Sequence, residues 1–62
     1  MNQARIHLIV SIEGLTLVTY TDRHGCHFEV IDSEGAVHQN GRTFASPQAA
    51  EDEGRRWVKS VD

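Results

Sequence analysis

Sixty-two residues carrying a formal net charge of −3 leave room for one domain with one small core. A chain of that length buries only about 60% of its unfolded surface, so a disulfide, a metal or a second subunit commonly completes it. The single Cys26 excludes an intramolecular disulfide, the acidic balance argues against non-specific nucleic-acid binding, and no apolar run approaches the ~20 residues that cross a bilayer.

Met1 to Arg5 lacks the charged and apolar regions of a signal peptide, so a cytoplasmic protein is expected. From Arg5 to Ile12 the apolar residues Ile6, Leu8, Val10 and Ile12 alternate with His7, Ile9 and Ser11, which is the period of a strand with one apolar face. Glu13-Gly14 suits a two-residue hairpin turn. A second strand over 15–21 is rich in Thr, Val and Tyr. Asp22 to Gly25 turns the chain into a third strand over 26–31, and Asp32 to Gly35 turns it again into a short fourth strand over 36–39. Asn40-Gly41 is the strongest turn signal. It either closes a small hairpin with Arg42-Thr43-Phe44 or delivers the chain to a helix.

That helix spans 47–60, with Ser46 as N-cap and Pro47 in the first position, where its missing N–H costs nothing. Pro47, Ala50, Gly54, Trp57, Val58 and Val61 share one arc of about 100°. The expected fold is α+β: a three- to four-stranded antiparallel meander covered on one face by a single C-terminal helix, forming one domain over 1–62. Gly54 would allow the helix to approach the sheet closely.

The turn lengths set a register. They pair Ile12 with Leu15, Val10 with Leu17 and Leu8 with Thr19, then Thr21 with Cys26, Thr19 with Phe28 and Leu17 with Val30. A four-residue turn at Asp32 to Gly35 pairs Ile31 with Ala36 and Val30 with Val37. One face then collects Ile6, Leu8, Val10, Ile12, Leu15, Leu17, Cys26, Phe28, Val30 and Val37 for the helix to cover. The opposite face carries three rows. His7, Tyr20 and His27 make the first, Ile9, Val18, Glu29 and His38 the second, and Ser11, Thr16, Ile31 and Ala36 the third. No element remains to cover these rows, and a contiguous apolar patch of this kind marks partner surfaces. The candidate partner-binding residues are His7, Ile9, Val18, Tyr20, His27, Glu29, Ile31 and His38.

Candidate chemistry is sparse. His24-Gly25-Cys26-His27 offers ligand types but places Cys26 and His27 on opposite faces, short of the four ligands of structural zinc. Cys26 reads as a small core residue, and Glu29 stands beside His38 as a surface pair. No metal, no cofactor, no small-molecule substrate and no catalysis are expected. Glu51/Arg55 and Asp52/Arg56 are i,i+4 pairs in the favourable order, which accounts for the helix charges.

The element order resembles small βββα modules, among them sheet-reading DNA-binding domains of the integrase N-terminal type. That resemblance implies a nucleic-acid alternative built on Arg5, Arg23, Arg42 and the Arg55-Arg56-Lys59 cluster. Such readers carry Arg and Lys along the sheet face, whereas Arg5 and Arg23 stand only at strand ends. Gly41-Arg42-Thr43-Phe44-Ala45-Ser46-Pro47 running into an Ala/Glu-rich helix is similar to small bacterial proteins of the YegP-like kind. The expected function is a non-catalytic inhibitor or adaptor module of bacterial or phage type. It would use the open sheet face for another protein and form a homodimer.

Overall fold

The computed structural model describes residues 4–39 and 41–60, so Asn40 and Val61 lie outside the described residues. Four antiparallel strands form one open sheet in the order β1-β2-β3-β4, followed by a single helix. They are β1 (Arg5–Ile12), β2 (Leu15–Asp22), β3 (Gly25–Ile31), β4 (Val37–His38) and α1 (Pro47–Ser60). Glu13 and Gly14 both take positive φ, 51° and 85°, which is the type I′ turn whose twist matches that of the flanking strands.

The β1–β2 register is the expected one from Ile12↔Leu15 to Leu8↔Thr19, and β2–β3 follows it from Thr16↔Ile31 to Asp22↔Gly25. Two corrections arise at the ends of the sheet, each an offset of one residue. In β1 a bulge between Ile6 and Leu8 pairs Ile6 with Tyr20. Because side chains alternate along a strand, the extra residue turns Ile6 away from the helix, and it is 58% exposed. His7 gives up its expected place in the Tyr20 row, and its Nε2 lies 2.7 Å from Thr21 Oγ1.

The second offset is in the turn before β4, which holds five residues where four were expected. Val30 pairs with His38 and Ile31 with Val37. The Asp32 carboxylate sets the length: its Oδ1 accepts the N–H groups of Glu34 and Ala36, both at 2.9 Å, while the Asp32 N–H reaches the Ala36 carbonyl at 2.9 Å. Val37 therefore joins the outer face and His38 the helix face. The fourth strand is also shorter than the expected 36–39.

Ser46 caps α1, its Oγ accepting the Ala49 N–H at 3.1 Å. Pro47 fills the first helical position and stays exposed, while Ala50, Gly54 and Val58 are buried. A Cβ on Gly54 would lie 2.5 Å from Leu17 Cδ1 and 3.2 Å from Phe28 Cγ, so the absence of a side chain is what seats the helix on β2 and β3. Leu17, Phe28, Val30 and Val58 form the core, with Val10, Ile12, Leu15, Phe44 and Trp57 around it. Phe44 adds an antiparallel bridge to Cys26, its N–H donating to the Cys26 carbonyl at 2.8 Å. No helix among the described residues is long and apolar enough to cross a membrane.

Candidate functional site

The outer face of the sheet is the surface that α1 leaves open. Its rows follow from the pairing: Ile6, Tyr20 and His27; Ile9, Val18 and Glu29; Ser11, Thr16, Ile31 and Val37. Six of the eight expected residues meet here, namely Ile9, Val18, Tyr20, His27, Glu29 and Ile31. His7 and His38 do not, for the offsets described above, and Ile6 and Val37 take their places. The substitution of two isoleucine- and valine-type residues for two histidines makes the face more apolar than expected. Ile6, Ile9 and Val37 are 58%, 62% and 52% exposed.

The face has a polar end. Tyr20 Oη donates to Glu29 Oε2 at 3.0 Å across the diagonal between neighbouring rows, and its ring lies 5.2 Å from that of His27. Partial burial, followed by the neighbouring Glu29 carboxylate, pushes the Tyr20 phenol up to about 12, so it stays a neutral donor. His27 Nε2 contacts Asp22 Oδ1 at 2.9 Å, and its Nδ1 lies 3.3 Å from the Arg42 carbonyl. The same Asp22 oxygen accepts the His24 N–H at 2.8 Å. That backbone bond first, and His27 second, hold the Asp22 carboxyl below its usual range. Asp22 and Asp32 escaped the sequence reading as organising residues, although Asp at the first position of a turn is the usual signal for such side-chain-to-backbone bonds.

The remaining titratable groups lie elsewhere. His38 Nε2 contacts Asp32 Oδ2 at 3.1 Å, and its ring stacks 5.7 Å from Trp57 on the helix side. The expected contact between Glu29 and His38 does not form. Asp32 sits below the usual carboxylate range, chiefly through His38 and then the Ala36 N–H. Cys26 is a buried free thiol 3.3 Å from Thr21 Oγ1. Among the described residues no three His, Cys, Asp or Glu side chains are grouped to hold a metal.

Arg5 opens β1 and Arg23 sits in the turn between β2 and β3, while Arg42, Arg55, Arg56 and Lys59 belong to the helix and its approach. Arg55 pairs with Glu51 at 2.8 Å as expected, but Arg56 pairs with Glu53 at 2.9 Å while Asp52 accepts from Gln48. Glu53 also lies 3.7 Å from Arg42, whose guanidinium sits 5.2 Å over the Phe44 ring. Comparison of the chain with protein-family models, curated proteins and solved structures finds no match.

Proposed function

We propose that this chain is a small non-catalytic interaction module of the inhibitor or adaptor kind, docking another protein on the outer face of its sheet and associating with itself. The observation that carries the reading is the uncovered apolar patch of Ile6, Ile9 and Val37, continued by Val18 and Ile31 and bordered by the Tyr20–Glu29 and His27–Asp22 pairs. An apolar centre with a satisfied polar border suits protein docking. Covering the three half-exposed aliphatic side chains contributes roughly 1 kcal/mol each, while the bordering pairs need no new partner. Its titratable side chains pair off along the strands instead of converging on a cleft, which favours binding over catalysis.

Nucleic acid is the weaker partner, because phosphate contacts dominate such binding and the arginines Arg42, Arg55 and Arg56 already face Glu51 and Glu53. The test places a photoreactive residue at Val18 and, as control, at Asp52 on the far side of the helix. A discrete adduct with one identified protein from position 18 alone is the expected result. Equal labelling from both positions, or none from 18, would remove the reading.

A further inference from the structure

Both ring nitrogens of His27 face acceptors. Nε2 lies 2.9 Å from Asp22 Oδ1 at the end of β2, and Nδ1 lies 3.3 Å from the main-chain carbonyl of Arg42. A carboxylate and a carbonyl can only accept, whereas a neutral imidazole carries one N–H and one lone pair. The imidazolium alone can donate to both. With a single proton the ring gives it to the Asp22 carboxylate, the stronger acceptor, and the Nδ1 lone pair then opposes the Arg42 carbonyl. The His27 side chain is 17% exposed, so water replaces the lost bond only in part.

The bond to Arg42 falls where the chain leaves β4 for the helix. Two residues on, Phe44 makes its bridge to β3, the Phe44 N–H donating to the Cys26 carbonyl at 2.8 Å, while the return bond from the Cys26 N–H is long at 3.4 Å. The Phe44 ring lies 5.9 Å from that of Phe28 at the margin of the core. A bridge of one residue pair has no ladder on either side of it, so a bond two residues away bears on whether it holds. We infer that His27 is a pH-operated clasp: protonated, it fastens segment 42–44 to the end of the sheet, and on losing its proton it loosens the Phe44–Cys26 bridge. The clasp works within the chain and is independent of the docking proposed above.

The groups around the ring set the direction of the response. From β2 come Asp22 and Tyr20, whose ring lies 5.2 Å away and whose phenol stays neutral, donating to Glu29. Glu29 stands two residues along β3 on the same face. The turn brings His24, whose N–H donates to the same Asp22 oxygen. The approach to the helix brings the Arg42 carbonyl, while the Arg42 guanidinium lies over Phe44 and 3.7 Å from Glu53. The clasp needs Asp22 ionised and His27 protonated. The His24 N–H first, and His27 second, keep Asp22 ionised to below the ordinary carboxylate range near pH 4, and histidines ordinarily lose their proton near about pH 6.5. Segment 42–44 is therefore held most firmly at mildly acidic pH and is released as the pH rises through the histidine range.

Amide hydrogen exchange followed by nuclear magnetic resonance on the wild type, His27→Phe and His38→Gln tests this. After correction for the intrinsic pH dependence of exchange, protection of the Phe44 N–H in the wild type is expected to fall about tenfold from about pH 5.5 to about pH 8, as one charge-assisted hydrogen bond is lost. Amides at the centre of β2 should keep their protection. His27→Phe, which retains a ring beside Tyr20 but neither N–H, is expected to show the lower protection at both pH values, and His38→Gln to behave as the wild type. The ring-nitrogen signals of the wild type give a second reading that needs no variant to fold: the Thr43 and Phe44 backbone signals should move with the same midpoint as the His27 ring. Protection of Phe44 that is flat with pH, a fall shared equally by the centre of β2, a fall that survives in His27→Phe, or a midpoint that follows His7, His24 or His38 instead would each overturn the clasp.

Discussion

Asp22 and Asp32 show how single side chains fix this small sheet. Each carboxylate holds its own turn's backbone N–H and a histidine on a following strand, Asp22 reaching His27 and Asp32 reaching His38. Both carboxyls are shifted downward, so each favours the folded state when ionised. The stabilisation is complete above the ordinary carboxylate range, near pH 4, and is lost as the pH falls through the lower folded values. Urea melts across acidic pH are expected to show this decline, and Asp22→Asn with Asp32→Asn to flatten it. Tyr20 titrates in the other direction. As the sole tyrosine it gives an unambiguous ultraviolet titration, expected near 12, and Glu29→Gln should bring it back toward 10.0. A Tyr20 titrating at the same value in both proteins would mean that the Glu29 contact is absent in solution.

At the scale of elements, the close seating of α1 on the sheet depends on Gly54. Alanine there gains ~1 kcal/mol in helix propensity, but its methyl group meets Leu17 and Phe28, both fully or nearly fully buried. Overpacking costs about 1–3 kcal/mol, so Gly54→Ala is expected to lose about 1 kcal/mol net in denaturant unfolding. Ser46→Ala, which removes the oxygen that holds the Ala49 N–H, should cost ~1 kcal/mol by the same measurement. The helix and the middle of the sheet were legible because several local signals agreed: a cap, an apolar arc, alternation in three strands and two short turns. The two errors came from places where alternation says nothing. Arg5-Ile6-His7-Leu8 alternates cleanly through a bulge that only the pairing with Tyr20 and Thr21 reveals. The turn after β3 is lengthened by Asp32's bonds to Glu34 and Ala36, which residue composition does not count. Each slip of one residue exchanged a histidine for an aliphatic side chain, so the rows of the outer face were legible at their centre and one residue out at both margins.

For the molecule as a whole, the sheet's outer face and its β1 edge have no covering element among the described residues. Both lie on the β1 side or the underside of the sheet, away from the solvent-facing residues of α1. On the helix side Arg55 and Arg56 are met by Glu51 and Glu53, and Val58 and Trp57 pack with the core. The most direct test of this division is nuclear magnetic resonance mapping of isotopically labelled protein over a wide dilution series. Backbone signals of Ile9, Ser11 and their neighbours on the β1 and outer-face side are expected to shift with concentration, while those of Gln48, Asp52 and Arg56 stay fixed. Shifts confined to the helix residues, or spectra unchanged from the most dilute to the most concentrated sample, would contradict the account of a self-associating module that works through its sheet.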